Sequence, residues 1–306
     1  MYCNSIFGGR LSGFLHGKRT AAFIESIARI KKERFGSSSG KLEFAKRDDM
    51  GVNFEELDYR QTALGELILR RRLSPALGGR EIFEVKLNDE FLMSSLFHEA
   101  EVALADLGLA GLTGEGWDIV VGGLGLGYTA AAALKYDRVA RMIVVEALAP
   151  VIEWHQRELV PNGTLLSKDA RCRYYHGDFF ELARGAGFDP DDAGHRFDAI
   201  LLDIDHTPDA LLNPSHGDLY SAEGMTRLRG FLKPGGVFGL WSNDEPAEGF
   251  LAILSRVFAR VDGHVVEFDN PIQGKTAANG VYVARVKTVS YTHLTLPTSA
   301  VAWGGG

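Results

Sequence analysis

A regular alternation of two residue patterns over Asp118–Val286 constrains the fold more than any other feature of the chain. Short apolar runs of strand composition occupy Asp118–Gly122, Met142–Glu146, Cys172–His176, Phe197–Asp203 and Gly236–Trp241. Stretches of helical pattern follow them at Tyr128–Lys135, Pro150–Glu158, Phe179–Arg184, Ser221–Leu232 and Pro246–Phe258. Strands joined through helices pair in parallel, and the helices cover both faces of the sheet. Two late strand candidates, Val261–Asp269 and Gly280–Val286, have no helical pattern between them. They predict an antiparallel hairpin at one edge. The expected fold class is α/β: a doubly wound, mostly parallel, seven-stranded Rossmann-like sheet with an antiparallel edge hairpin.

The residues ahead of this alternation read differently. Residues 1–50 form an arm with no clear pattern; Ala21–Arg34 could be a short basic helix, and Gly36–Gly40, GSSSG, has linker composition. No function is assigned to it. From Val52, the runs GELILRRRL and REIFEVKLNDEF carry β-formers on either side of a SPALGG turn, which predicts a small N-terminal β unit. SSLFHEAEVALADLGL then reads as a helix capped by Ser94 or Ser95, with Leu96, Val102, Leu104 and Leu107 as its apolar positions. The expected division is an arm over 1–50, a β unit plus helix over 51–108, and a nucleotide-binding catalytic domain over 109–288. Residues 289–306 stand apart. VSYTHLTLPT resembles the translation of a sequencing-library adaptor, and SAVAWGGG after it fits no element; this stretch is expected to be an adaptor-derived artefact or a disordered tail.

Composition narrows the function classes. With 306 residues and 45% apolar content the chain can bury a full core. No apolar run approaches the about 18 residues of a membrane span, and the first residues lack the order of a signal peptide. Two cysteines far apart, Cys3 and Cys172, fit a reducing cytosol, so a cytoplasmic location is expected. A net charge of -7 disfavours nucleic acid and attracts a cationic substrate. The nine histidines show no H-x-x-x-H spacing on a plausible helix and have no cysteine partners, so no metal site is expected. No serine sits in a nucleophile-elbow context between a strand and a helix, which disfavours acyl transfer. Arg70-Arg71-Arg72 reads as a solvated strand edge, and Asp189–Asp192 as a solvated loop.

The chemistry starts at DIVVGGLGLGYTAAAAL, Asp118–Leu134. A glycine turn between strand and helix lets the backbone approach a ligand, and the helix N-terminus adds positive potential. The spacing of Gly122, Gly123, Gly125 and Gly127 is one residue tighter than the dinucleotide G-x-G-x-x-G. The same glycines could serve only helix–strand packing. Glu146, ending the second strand, could accept from two ribose hydroxyls or stand solvated. Gly177-Asp178-Phe179 follows the third strand; Asp178 could accept from an adenine amino group, with Phe179 or Phe180 against the ring, or could simply cap a helix. Asp203 ends the fourth strand, where open α/β sheets bind ligands.

Together with LKPGGVFGLW before the fifth strand, this set resembles the class I S-adenosylmethionine (SAM)-dependent methyltransferase fold. Within it, Arg196–Asp244 is similar to the spermidine synthase family of polyamine aminopropyltransferases. The matching residues are Asp203, Asp205, Pro208, Leu219-Tyr220 and Leu232–Val237, and Phe97-His98-Glu99 resembles the family's Tyr-His-Glu segment. The resemblance implies transfer of an aminopropyl group from decarboxylated SAM to a diamine such as putrescine, in a homodimer. It implies Asp203 as the base, with Asp205 and Asp209 in the same loop as carboxylates for the cationic amine. His206 or Tyr220 would orient the amine or serve packing. The attacking amine, with a pKa near about 10.4, needs a base within hydrogen-bond reach. Three departures stand out. Gly125 occupies the position of an acid that binds the donor's amino end, the D-S-S-D-P loop reads Asp203-Ile204-Asp205-His206-Thr207-Pro208, and Phe97 lacks the tyrosine hydroxyl. They leave open a methyltransferase that uses ordinary SAM on a small cationic substrate, and a non-catalytic nucleotide-binding homologue.

Overall fold

The computed structural model describes residues 54–62, 64–88, 90–205 and 207–288. The arm over 1–50, His206 and the stretch 289–306 lie outside them. The described chain divides into two units: one runs to Phe97 and includes Phe268–Ala277, and the other takes His98–Glu267 and the residues from Ala278.

The first unit is an antiparallel sheet of β1 (Phe54–Thr62), β2 (Gly65–Ser74), β3 (Arg80–Leu87) and β4 (Glu90–Ser94), in that order. The period-two alternation of β2 turns Leu67 and Leu69 into the core, both 0% exposed. The same alternation splits the arginine triplet. Arg70 and Arg72 donate from one face to the buried Glu84, at 2.6 and 2.8 Å, while Arg71 pairs with Glu55 and Glu81 on the other. The triplet is thus neutralised by strand partners, and the solvated-edge reading holds only for Arg71. Ile82, Leu96, Phe97 and Phe268 make a small core of their own.

The second unit is the seven-stranded sheet. Its strands are β5 (Trp117–Gly122), β6 (Val139–Glu146), β7 (Cys172–His176), β8 (Phe197–Leu202), β9 (Leu232–Ser242), β10 (Arg260–Asn270) and β11 (Lys275–Arg285), in the order β10-β11-β9-β8-β5-β6-β7. The pairs from β9 to β7 are parallel, and β11 runs antiparallel to β9. The α/β class, the doubly wound order and the edge hairpin all match the sequence. The helices are α1 (Glu99–Leu109), α2 (Tyr128–Leu134), α3 (Ala149–Gln156), α4 (Gly163–Lys168), α5 (Phe179–Arg184), α6 (Ala222–Arg229) and α7 (Glu248–Val257). The chain winds outward from β5 in one direction and from β8 in the other, so these two neighbours flank the topological switch point. In such sheets ligands sit outside the carboxyl ends of the strands at that point.

Three expectations need correction. Helix α1 starts at Glu99, with His98 in the cap position and no side-chain cap bond. Ser95 is instead held to the β unit, accepting from Phe83 N at 2.9 Å, and Leu96 lies in that unit's core. The helix itself belongs with the large sheet, because Gly108 and Gly239 let it approach closely: a Cβ on Gly108 would lie 2.7 Å from Leu201, and one on Gly239 2.9 Å from Leu104. The K-P-G-G stretch, read as a turn into the fifth strand, lies inside β9 as an irregularity where Phe197 faces Leu232 but Ala199 faces Val237. Helix α4 was not anticipated; six residues, GTLLSK, are too few to show a helical period.

Candidate active site

Four neighbouring strands, β8-β5-β6-β7, end side by side, and each ends on or is followed at once by a residue singled out in the sequence. At β5, Gly123 N donates to Val145 O at 2.9 Å, and Asp203 N donates to Gly122 O at 2.8 Å, so the turn is tied to both neighbours. Gly123 has φ +91°, and a Cβ there would stand 2.2 Å from the Asp203 carbonyl oxygen. No side chain fits in that gap, and backbone cannot yield as a flexible side chain would. Gly122 meets a different neighbour, Phe179, whose ring would lie 2.5 Å from an added Cβ. Packing therefore accounts for Gly122 and Gly123. Gly125 and Gly127 also have positive φ, +49° and +83°.

The floor of the turn is polar and buried. His155, 0% exposed, bonds the Gly125 carbonyl through Nε2 at 2.9 Å, and Asn162 donates to the Leu126 carbonyl at 2.9 Å. Burial pushes the His155 imidazole down to about 4, so it is neutral at ordinary pH. The Gly125 carbonyl is an acceptor, so Nε2 carries the hydrogen.

At β6, Glu146 accepts from Leu124 N through Oε2 at 3.0 Å and from Leu148 N through Oε1 at 2.8 Å. The acid grips the glycine turn with one oxygen and the start of α3 with the other. Burial raises its carboxyl pKa, and these backbone N–H groups oppose the rise. At β7, Asp178 Oδ1 accepts from Phe180 N and Glu181 N, which caps α5. Phe179, expected against an adenine ring, is 1% exposed and stacks on Phe188 at 4.7 Å beneath Gly122. Phe180 stacks on His216 at 3.6 Å. Both rings are core, because a strand-to-helix connection with Gly177 as its one residue before the cap turns them inward.

At β8, Asp203 is partly exposed and accepts from Thr129 Oγ1 at 2.9 Å. Thr129 Oγ1 also lies 3.3 Å from the Glu101 carbonyl oxygen, so α1, α2 and the end of β8 meet at one hydroxyl. Burial, and then the Asp203 charge, hold the Glu101 carboxyl well above its ordinary range. Glu101 was not singled out in the sequence. A signal was present: Glu101, itself partly exposed, stands at i to the i+3, i+4 and i+7 positions Leu104, Ala105 and Gly108 that α1 buries.

The other two acids of the resemblance part from Asp203. Asp205 is 1% exposed, and its carboxylate accepts from Leu212 N at 2.8 Å, His216 Nδ1 at 2.9 Å and Tyr220 Oη at 2.9 Å. Burial and the Asp205 charge raise the Tyr220 phenol well above its usual value, which keeps it a donor. Asp205 and Tyr220, expected to face an amine, instead staple the loop between β8 and α6 from inside. Asp209 is exposed.

Among the described residues no group of three or more His, Cys, Asp or Glu is arranged to hold a metal. Among them, too, no helix is long and apolar enough to cross a membrane.

The sheet order, the glycine turn and the acids at successive strand ends define a fold of the class I methyltransferase type. Solved structures narrow that class. The crystal structure of a spermidine synthase in complex with the transition-state analogue AdoDATO matches at a TM-score of 0.58 and 20% identity, over 75% of this chain and 73% of that one. Spermidine synthase from Thermotoga maritima matches at 0.55 and 18% identity, over 75% and 72% of the two chains. The fold is spermidine synthase-like. No protein-family model matches the chain.

Proposed function

We propose that the chain is a spermidine synthase-like transferase that moves an aminopropyl group from decarboxylated SAM to a diamine such as putrescine. One observation carries the reading: the glycine turn, Glu146, Gly177-Asp178 and Asp203 stand at four adjacent strand ends around a topological switch point. A neighbouring fold in complex with AdoDATO supports the choice of donor. In this reading the turn, which Gly122 and Gly123 allow to pack and which continues through Gly125 and Gly127, brings the backbone against the nucleoside. Glu146 and Asp178 each keep acceptor capacity beyond the backbone bonds they make, for ribose hydroxyls and an adenine amino group.

The reaction is a single displacement. The lone pair of the acceptor's neutral amine attacks the aminopropyl methylene bound to the sulfonium, an N–C bond forms and the C–S bond breaks. The bonding pair stays on sulfur, which leaves as the neutral thioether methylthioadenosine. Asp203, which stands at the switch point with Thr129 fixing one of its oxygens, first takes the proton that the acceptor's ammonium must lose to become this neutral amine, and the product nitrogen leaves as an ammonium. Asp205 and Tyr220 act on this step by holding the loop that carries Asp203.

A methyltransferase reading is favoured by one residue, Gly125, which leaves the turn without the acid expected for a donor's amino end. Calorimetric titration of the full chain with SAM and decarboxylated SAM, with and without putrescine, separates the two. Preference for the decarboxylated donor, strengthened by putrescine, supports aminopropyl transfer; preference for SAM supports methyl transfer; binding of neither supports a non-catalytic homologue.

A further inference from the structure

We propose that His216 is a positioning residue that joins the diamine half of the site to the nucleoside half, so that each ligand tightens the binding of the other. This rests on the transfer reaction proposed above and adds to it the contact that links its two binding steps.

His216 touches both halves. It is buried, and its Nδ1 lies 2.9 Å from Asp205 Oδ1 and 3.1 Å from Asp205 Oδ2. A carboxylate accepts, so Nδ1 carries the hydrogen. Asp205 stands two residues past Asp203, in the loop that leads from β8 to α6. The second contact is through the ring face. The imidazole lies flat on Phe180, with centroids 3.6 Å apart and planes tilted by 9°. Phe180 N in turn donates to Asp178 Oδ1 at 2.7 Å, at the start of α5. Contact therefore runs from Asp205 through His216 and Phe180 to Asp178, although β5 and β6 stand between β8 and β7 in the sheet.

Neither task alone calls for a histidine. Leu212 N and Tyr220 Oη already bond Asp205, and a phenyl ring would cover Phe180 without burying a polar atom. A histidine does both at once. Tyr220, which also bonds Asp205, meets Phe180 only at 6.3 Å and a 60° tilt. Groups packed at interior density do not shift independently. A nucleoside that fixes Asp178 thus steadies the loop behind Asp203, and a diamine that fixes the loop steadies the nucleoside side. Such coupling is reciprocal.

The test is calorimetry on the full chain with methylthioadenosine and putrescine, a pair that fills both halves and cannot react. In the wild type, putrescine should strengthen methylthioadenosine binding about tenfold. His216→Asn, whose amide can keep the Asp205 bond, loses the stack; His216→Phe keeps the stack and loses the bond. Each should cut the strengthening to about twofold or less while leaving methylthioadenosine alone within about twofold of its wild-type affinity. Phe180→Leu breaks the stack from the other side and gives a third reading should a His216 variant not fold. Tyr220→Phe loosens the same carboxylate but spares the stack, and should keep the strengthening. Full strengthening in the His216 variants, its equal loss in Tyr220→Phe, or its absence from a wild type that binds both ligands overturns the link while the transfer reaction stands. Failure of the wild type to bind methylthioadenosine overturns the transfer reading itself, and this link with it.

Discussion

The two sides of the switch point are built by different means. On the β5-β6-β7 side, main chain fixes the acids: Glu146 grips Leu124 N and Leu148 N, and Asp178 grips Phe180 N and Glu181 N. On the β8 side, side chains do so. Asp203 is set by Thr129, and Asp205 is enclosed by His216, Tyr220 and one backbone N–H. Acids held by local main chain stay where their spacing puts them, at the rim of the sheet. Acids held by distant side chains go where those side chains are, and Asp205 is buried two residues after Asp203 remains accessible. Spacing in a loop therefore says little about which of its carboxylates faces a ligand.

The largest expected effect tests the first side. Gly123→Ala forces a left-handed backbone on alanine and drives a Cβ into the Asp203 carbonyl. Strain and overlap together should cost about 3 kcal/mol or more. Thermal unfolding should show a fall of roughly 6–12 °C, and calorimetry should show nucleoside binding lost. A variant of wild-type stability and affinity would break the claim that backbone contact shapes this turn.

Acid should reach the same turn through His155. Its folded pKa, about 4, lies below the unfolded value of 6.5. Below pH 6.5 the unfolded chain therefore takes up a proton that the folded one refuses, and stability falls as pH drops from 6.5 towards 4. The loss should total about 3 kcal/mol. Urea unfolding at pH 7 and pH 4.5 measures it. His155→Leu should flatten this part of the profile while weakening the turn it supports; an unchanged slope would show that another group carries the acid sensitivity.

Tyr220→Phe tests the second side. It removes a donor from a buried carboxylate and should destabilise the fold by about 2 kcal/mol, with nucleoside affinity unchanged. Unchanged stability with a raised KM for the diamine would return Tyr220 to the amine site and erase the contrast between the two sides. Glu146→Gln sharpens the contrast with the smallest change. It keeps the shape, loses the charge, and should weaken nucleoside binding about tenfold with little change in unfolding midpoint.

Much of this architecture was legible in the sequence, for identifiable reasons. Strands buried on both faces, such as IVV at Ile119–Val121, read as continuous apolar runs, and the helices between them forced parallel pairing. The strand-end residues followed from the same alternation, since a strand's last residue lies at the sheet rim whatever surrounds it. What escaped were features set by tertiary partners. Phe179 looked free beside Asp178, yet the lack of a side chain at Gly122 makes room for its ring. Asp205 and Tyr220 are fifteen positions apart, and only the folded loop brings them to 2.9 Å. Glu101 was visible as an acid in line with the buried positions of α1, but its relation to Asp203 depends on α1 packing against the large sheet.

The central claim is that Asp203, at the switch point, takes the proton from the acceptor's ammonium and so frees the amine that displaces the thioether. Its most direct measurement is mass-spectrometric detection of spermidine and methylthioadenosine formed from decarboxylated SAM and putrescine, by the wild type and by Asp203→Asn. The account predicts both products in equal amounts from the wild type, and a rate lower by about a hundredfold or more in the variant. Turnover by Asp203→Asn at the wild-type rate would contradict it.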